Sequence, residues 1–252
     1  MSAVPAMELI AQDAAAVRIA VEIGAARVEL CQALALGGLT PSIATIEHAV
    51  AAAEGAVEVH ALIRVRPGGF RYDADEVWVM ADDVRAAVAA GAAGVVVGCL
   101  DESGRFDRDH MRRLKDAAGE AGFAAHRAID LATDPLDAID DLVALGVERV
   151  LTSGAASTAR AGAQTLEAMV ARADGRIDVM AGGGVTADSV DAILRTGVPA
   201  IHFSAKRTVR DDSGVSMGSA ETDGVGSYDT VDREAAQRIA AAVRAFGGDS
   251  TR

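Results

Sequence analysis

The chain has 252 residues, of which 50% are hydrophobic and 24% are charged, with 26 Gly and 5 Pro. This composition is typical of a soluble globular domain and excludes disordered and collagen-like chains. The length matches the roughly 250 residues of a single eight-stranded α/β barrel. The formal net charge is -13, from 24 Lys and Arg against 37 Asp and Glu. Because the electrostatic field of a negatively charged protein repels phosphate backbones and anionic lipids, neither nucleic acid nor a membrane is an expected partner.

Short apolar runs alternate with longer Ala-rich stretches, which is the pattern of parallel strands covered by helices. Eight strands are predicted: Met7–Ala11, Arg27–Cys31, Glu58–Arg64, Gly94–Gly98, Ala124–Arg127, Arg149–Thr152, Asp178–Ala181 and Ala200–Ser204. Seven helices are predicted between them, several with Asp, Ser or Thr at the N-cap: Asp13–Ile23, Ser42–Ala53, Asp75–Ala90, Asp107–Ala121, Asp134–Leu145, Ala161–Ala173 and Thr186–Arg195. Thr208–Asp229 loses periodicity and is predicted to be a long loop over one end, followed by a closing helix over Val231–Phe246.

A weak internal repeat favours closure of these strands into a barrel. A helix-ending glycine precedes each even-numbered strand by three residues: Gly24, Gly91, Gly146 and Gly197. We therefore predict a single domain over residues 1–252, a (β/α)8 TIM barrel over about residues 7–207 with a loop and C-terminal helix over 208–252. An open doubly wound sheet is the alternative. It is disfavoured because Gln12 and Asp13, not a Gly-rich fingerprint, follow the first strand.

The cysteines indicate a reducing compartment. Cys31 and Cys99 have no Cys-x-x-Cys spacing, so neither a disulfide framework nor a structural zinc site is indicated, and a cytoplasmic location is expected. Met1–Ala6 carries no basic region followed by an apolar run, and no segment approaches about 18 uncharged apolar residues. Neither a secretion signal nor a membrane span is predicted.

Polar residues gather where strands end, which is where barrels of this class place their chemistry. Glu29 and Arg64 are predicted on neighbouring strands. A buried charge must be paired or hydrogen-bonded. The two are therefore interpreted either as an ion pair that fixes strand register or as an acid and an anion-binding guanidinium.

The end of the fifth strand combines an imidazole, a guanidinium and a carboxylate, in His126, Arg127 and Asp130. Because consecutive strand residues face opposite sides, His126 and Arg127 are not both expected to point into the barrel. An inward His126 would be the best available general acid or base. The predicted catalytic set is Glu29, Arg64, His126, Arg127 and Asp130.

An anion site is predicted near the last two strands. Gly182, Gly183 and Gly184 lead into a helix, and Lys206 follows the next strand, so amides and a cation meet where many barrels hold phosphate. A tight turn that needs positive φ is the alternative interpretation of the glycines. The predicted anion-binding set is Arg66, Gly182, Gly183, Gly184 and Lys206.

Several motifs together resemble one known family. Val28-Glu29-Leu30-Cys31, Gly37-Gly38-Leu39-Thr40-Pro41-Ser42, Ile63-Arg64-Val65-Arg66-Pro67-Gly68-Gly69-Phe70, His126-Arg127-Ala128-Ile129-Asp130, Arg149-Val150-Leu151-Thr152-Ser153-Gly154 and Met180-Ala181-Gly182-Gly183-Gly184 resemble, in this order, the copper homeostasis protein CutC family. The resemblance runs from about Met7 to Lys206. It implies a cytoplasmic α/β barrel, often a homo-oligomer, that is associated with copper handling and proposed to bind Cu(I).

Three functional hypotheses follow. The first is a copper homeostasis protein that binds Cu(I), with Cys31 as the metal contact implied by the Glu-Leu-Cys motif and His126 or Met180 as helpers. The second is an isomerase, lyase or aldolase acting on a phosphorylated or carboxylated small molecule. The third is a non-catalytic protein whose charged residues only stabilise the barrel.

Overall fold

The computed structural model describes residues 4–210 and 227–249. Eight parallel strands form a closed barrel in which β1 pairs with both β2 and β8. The strands are β1 (Ala6–Ala11), β2 (Arg27–Leu30), β3 (Glu58–Leu62), β4 (Gly94–Val97), β5 (Gly122–Ala125), β6 (Arg149–Thr152), β7 (Asp178–Gly182) and β8 (Ala200–Phe203). The predicted (β/α)8 barrel is confirmed.

Helices follow the strands in alternation. They are α1 (Ala14–Glu22), α2 (Ile43–Ala53), α3 (Ala74–Ala89), α4 (Arg108–Ala118), α5 (Pro135–Ala144), α6 (Ala163–Ala173), α7 (Val190–Leu194) and α8 (Arg233–Asp249). The side chains of Asp13, Ser42, Asp107 and Asp134 accept backbone N–H groups at the N-termini of α1, α2, α4 and α5, as the capping pattern predicted. The cap of α3 is Asp73, two residues before the predicted start at Asp75. No helix among the described residues is both long enough and apolar enough to cross a membrane.

The stretch after β8 differs from the predicted loop. β9 (Lys206–Arg210) pairs antiparallel with β10 (Ser227–Val231), with Thr208 opposite Asp229. These strands were missed because most of their side chains are exposed or half-buried, so their sequence has no apolar alternation. The rest of the predicted loop, residues 211–226, lies outside the described residues. The assignment of residues 1–252 to one domain stays a prediction.

The two faces of the barrel strands carry different kinds of residues. Leu9 and Ala11 of β1 pack in the main apolar core, which the strands share with the helices. The alternate residue Glu8 is also buried but contacts Arg27, Arg149 and His202 on other strands. The two-residue period of the strands thus directs apolar residues to the helices and several ionisable residues to the barrel axis.

Glycine makes room for one of these inward side chains. A Cβ on Gly94 would lie 2.5 Å from Cε1 and 2.6 Å from Nδ1 of His60, and 2.7 Å from the carbonyl oxygen of Gly122. The backbone atom cannot move aside as a flexible side chain does. Gly94 is therefore required for packing at this level of the barrel.

We expect Gly94→Ala to lower the free energy of unfolding by about 1–3 kcal/mol, the usual cost of overpacking a closed core. Urea unfolding followed by circular dichroism measures the change. Gly69→Ala is the control, because a Cβ there meets nothing within 4 Å. Equal midpoints for the two variants would contradict the packing role of Gly94.

Candidate functional site

The strands and the loops that follow them enclose a cavity of about 260 Å³. This volume is close to the lower end of the roughly 300–1,000 Å³ of ordinary ligand pockets, which suits a small metabolite. Its wall is mixed: Leu62, Phe70 and Phe203 are among its apolar residues. Its polar side chains are Glu29, Arg64, His126, Arg127, His202 and Ser204.

Glu8 lies beneath the cavity at the centre of an ionic cluster. Its Oε1 is 2.9 Å from Nδ1 of His202, and its Oε2 is 3.2 Å from Nε of Arg27 and 3.7 Å from Nε of Arg149. Burial alone would raise the pKa of Glu8, but the hydrogen bond from His202 and the nearby positive charges outweigh burial and hold this pKa at about 2. Glu8 is therefore an anion at neutral pH.

His202 completes this cluster as the hydrogen-bond partner of Glu8. Burial lowers its pKa, but the hydrogen bond to Glu8 and the negative charges of Glu29 and Glu8 outweigh burial and raise this pKa above its ordinary value. His202 also lines the cavity. It thus links the ionic cluster with the space where a ligand would bind.

Glu29 has the opposite environment from Glu8. It is buried, and its Oε2 has no hydrogen-bond partner among the described residues. Burial raises the pKa of Glu29 to about 7, with the charge of Glu8 adding to the rise and that of His202 opposing it. A carboxyl group with this pKa can both accept and release a proton at neutral pH, as acid–base catalysis requires.

Arg64 is fixed by backbone oxygens. Its Nη1 donates to the carbonyls of Leu36 (3.0 Å) and Gly38 (2.9 Å), and its Nη2 donates to that of Gly68 (2.8 Å). It forms no salt bridge with a described carboxylate, so the interpretation of Glu29 and Arg64 as an ion pair is wrong. The register places Glu29 opposite His60 on β3, four residues and about 13 Å before Arg64.

His126 and Arg127 both line the cavity, although consecutive residues of a strand face opposite sides. Strand alternation stops at Ala125, the last residue of β5, and Arg127 begins a 3-10 turn over Arg127–Leu131. His126 is the N-cap of this turn. Its Nδ1 accepts the N–H of Ala128 at 3.2 Å.

Asp130 anchors the neighbouring loop and orients Arg127. Its Oδ2 lies 2.7 Å from Nε of Arg127, and its carboxylate accepts the N–H groups of Ser153 and Ala155 at 3.1 Å. Arg127 also donates from Nη2 to the Ser153 hydroxyl at 2.7 Å. Asp130 does not itself line the cavity.

The predicted anion site is only partly assembled. Gly183 and Gly184 line the cavity with φ of 102° and 67°. A Cβ on Gly183 would lie 3.3 Å from Nη1 of Arg127, so glycine lets that guanidinium approach the turn. Among described residues, none accepts a hydrogen bond from the amide of Gly184 or Val185.

The other predicted anion ligands lie elsewhere. Gly182 is the last residue of β7, packed against His202. Lys206 belongs to β9, where it pairs with Asp229 at 3.0 Å, and it lines a neighbouring pocket together with Gly184. Arg66 pairs with Glu76 and donates to the carbonyl of Gly69 at 3.2 Å. Lys206 and Arg66 do not line the cavity.

The surroundings of Cys31 do not fit Cu(I). Cys31 is buried in a small apolar cluster with Leu62, Val96 and Ala124 and does not line the cavity. Burial, and then the charge of Glu29, raise the pKa of this thiol well above its usual range. Cys99 is in the separate main core, where burial and then the charge of Asp107 raise its pKa to about 12.

Other described donors are also poorly matched to this ion. Met180 packs with Leu151 and Ala200, in a cluster separate from that of Cys31. Among the described His, Cys, Asp and Glu residues, the group that could surround a metal ion is Glu8, Glu29 and His202, whose ligand atoms lie within 4.8 Å of one another. That set contains no soft sulfur ligand, which Cu(I) prefers.

Sequence reasoning missed the importance of Glu8 and His202. Neither is among the predicted catalytic, anion-binding or metal residues. Each stands between apolar residues within a strand, in Met7-Glu8-Leu9 and Ile201-His202-Phe203. An ionisable residue inside such a run is the signal that could have found them, because burial without a partner is costly.

Comparison with known proteins identifies the family. The family model described as the CutC family matches residues 6–207. The chain belongs to the CutC family. A CutC family protein of Xylella fastidiosa strain Temecula1 is 45% identical over 204 residues, which cover 81% of this chain and 76% of that protein. A CutC family protein of Photobacterium profundum is 42% identical over 206 residues, covering 79% and 83%.

Solved structures agree with the CutC assignment. A crystal structure from Streptococcus agalactiae, provisionally named copper homeostasis protein CutC, has 32% sequence identity and a TM-score of 0.75, covering 79% of this chain and 97% of that one. Thiamine phosphate pyrophosphorylase of Pyrococcus furiosus has a TM-score of 0.61 at 17% identity, covering 96% of each chain. The second likeness shows the fold alone.

The raised pKa of Glu29 predicts a pH dependence of stability. Between its ordinary pKa of 4.5 and its folded value of about 7, the folded chain holds a proton that the unfolded chain has released. The contribution of Glu29 to the free energy of unfolding is therefore fully present below pH 4.5 and is lost as the pH rises to 7. We expect Glu29→Gln to flatten the fall in melting temperature across this range.

Thermal unfolding at intervals from pH 4.5 to 8 measures this effect. Glu148→Gln is the matched control, since it changes an exposed carboxylate on the same barrel. Parallel curves for the native chain and Glu29→Gln would show that Glu29 ionises normally.

Proposed function

We propose that this chain is an enzyme that transfers a proton to or from a small anionic metabolite in the cavity at the C-terminal end of the barrel. The observation that carries the proposal is the buried Oε2 of Glu29, which has no partner among the described residues in a cavity that also contains two guanidinium groups. Leaving a buried polar atom unpaired costs about 1–3 kcal/mol. Such a cost is usual at a site built for a ligand.

The charges around the cavity favour an anionic ligand. Arg64 is buried, and backbone carbonyls, not described carboxylates, accept its hydrogen bonds. Arg127 is half-exposed and lies beside the Gly183 turn, whose neighbouring amides can also donate. Carboxylate and phosphate oxygens are the natural acceptors for guanidinium and amide donors. The groups around the cavity thus favour an anion locally, although the protein as a whole carries a net negative charge.

Several residues in and around the cavity have distinct roles in this proposal. Arg127 and the turn at Gly183 and Gly184 bind the anionic group of the substrate. Glu29 exchanges the proton, because its pKa of about 7 suits both directions of transfer. Glu8 and His202 act as positioning residues beneath Glu29. Asp130 holds the guanidinium of Arg127 in place.

A thermal-shift screen tests this proposal. We expect some members of a pool of phosphorylated and carboxylated metabolites to raise the melting temperature, and Arg127→Gln to weaken their binding by about 10- to 100-fold in calorimetry, the loss of a charge-assisted hydrogen bond. Arg85→Gln is the control for removal of one positive charge, since Arg85 pairs with Asp82 on α3, away from the cavity. A pool without any stabilising member, or equal affinity in Arg127→Gln, would argue against the proposal.

Direct Cu(I) binding at Cys31 is the second candidate, favoured by the name of the Streptococcus agalactiae relative. Cys31 would be the thiolate ligand in that case. Its apolar surroundings oppose the role, because a metal ligand must be deprotonated and burial favours the protonated thiol. Gly38 further covers the thiol: a Cβ there would lie 3.5 Å from Sγ.

We expect the native chain and Cys31→Ser to compete equally, and weakly, with a chromophoric Cu(I) chelator under anaerobic conditions. Cys99→Ser is the matched control for loss of a buried thiol. Stoichiometric Cu(I) binding by the native chain that disappears only in Cys31→Ser would establish the copper site and make the second candidate the better one.

We also propose a cytoplasmic location, which the two free cysteines favour. Assembly into a homo-oligomer stays a prediction from the family resemblance. The proposed ligand of this chain is the small anionic metabolite described above.

A further inference from the structure

We infer that His126 donates an Nε2–H hydrogen bond to a carbonyl oxygen of the substrate, so that the reaction is proton abstraction from the carbon next to that carbonyl. This inference rests on the proposed function, because it assigns the substrate class of the same cavity. It identifies the ligand as a small anionic ketone, aldehyde or keto acid.

The backbone fixes which nitrogen of His126 carries the proton. The N–H of Ala128 donates to Nδ1 at 3.2 Å, so Nδ1 must offer its lone pair. A neutral imidazole has one acceptor and one donor nitrogen, and Nε2 is therefore the donor. This Nε2 is buried and has no partner among the described residues, in a side chain that lines the cavity.

The ring of His126 is held in place from two sides. The ring of Phe70 lies over it, with centroids 4.6 Å apart and planes inclined by 40°. On another side is Gly98, where a Cβ would lie 2.7 Å from Nδ1 and closer still to Cε1. The donor is thus preorganised, which is the condition under which a hydrogen bond stabilises a developing charge most strongly.

Burial and charge keep this ring neutral. Burial lowers the pKa of His126 to about 3, and the positive charge of Arg64 adds to the effect. A protonated His126 would also lose the bond from Ala128, because both ring nitrogens would then be donors. His126 consequently serves as a neutral donor rather than as a source of protons.

The same tautomer excludes His126 as a metal ligand in this geometry. Coordination through Nε2 requires its lone pair, and the proton would then move to Nδ1, where it would oppose the N–H of Ala128. The unpartnered Nε2–H instead matches an oxygen acceptor on an organic ligand.

Glu29 and His126 together complete the chemical step. The Glu29 carboxylate takes a proton from the carbon beside the carbonyl, and the electron pair of that C–H bond forms a carbon–carbon double bond. The carbonyl π electrons move to its oxygen, whose negative charge accepts the His126 hydrogen bond. In a substrate whose α-carbon carries a hydroxyl, the hydroxyl proton passes to the enolate oxygen, Glu29 returns its proton to the former carbonyl carbon, and the new carbonyl forms at the α-carbon, which completes an isomerisation. Return of the proton to the original carbon after exchange with water leaves the substrate unchanged. Neither outcome changes the oxidation state overall.

Nitrogen-15 NMR of the histidine rings tests the tautomer without any ligand. We expect His126 to remain neutral with its proton on Nε2 from pH 5.5 to 8, and His126→Gln identifies its signals by their loss. A protonated ring in this range, or a proton on Nδ1, would overturn the inference while leaving the anion-binding test of the proposed function unaffected.

Solvent exchange tests the chemical role. Dihydroxyacetone phosphate and pyruvate are incubated with the protein in D2O, and loss of their α-proton signals is followed by proton NMR. We expect the native chain to accelerate exchange in at least one probe. His126→Leu should reduce the rate by about 100-fold or more, the usual effect of losing such a donor, and His126→Gln, which keeps an N–H donor, should recover part of it.

Matched variants separate the outcomes. His48→Leu, an exposed histidine on α2, is expected to retain the native rate. Native exchange that His126→Leu preserves would overturn the role of His126 but not that of Glu29, whose loss in Glu29→Gln should stop exchange. If the native chain exchanges neither probe, the carbonyl substrate class is overturned, whereas binding of other anions would still support the proposed function.

Discussion

The carboxylate of Glu8 lies at the seam where the barrel closes between β1 and β8. It contacts His202 on β8, Arg27 on β2 and Arg149 on β6, and so joins four of the eight strands through one side chain. Any of these charges buried without its partners would be strongly destabilising. Closure brings them together, and the lower part of the barrel is therefore filled by an ionic cluster and not by apolar layers alone.

This cluster determines the chemistry of the cavity above it. Glu8 receives the available donors and stays ionised, whereas the neighbouring Glu29 keeps an oxygen without a described partner and has a raised pKa. Two carboxylates with such different environments are the usual basis for assigning one to proton transfer and the other to support. His202 is hydrogen-bonded to Glu8 and also lines the cavity, so it connects the ionic cluster with Glu29.

The sequence was sufficient for the barrel because its evidence is local and repeated: apolar strands, capped helices and the order of elements. It also placed Glu29, His126 and Arg127 at one end, because all parallel strands end there.

The contacts of Glu8 and His202 depended on the pairing of the first and last strands, which no local pattern encodes. Register similarly separated Glu29 from Arg64. Lys206 lies outside the cavity of Glu29 because Ala205, with φ of 41°, precedes a new exposed strand that carries the lysine to Asp229, although Lys206 and Gly184 line a neighbouring pocket together.

Burial has different consequences for the different ionisable groups of this barrel. The Cys31 thiol keeps its proton when it is buried, and so loses the thiolate form that metal binding requires. A buried carboxyl with a pKa near neutrality gains the ability to exchange protons, and a buried neutral imidazole remains a hydrogen-bond donor. The same apolar surroundings therefore disfavour a metal at Cys31 and favour proton chemistry between Glu29 and His126. The copper homeostasis name of the Streptococcus agalactiae relative and the polar cavity of this chain therefore point to different ligands and to different residues.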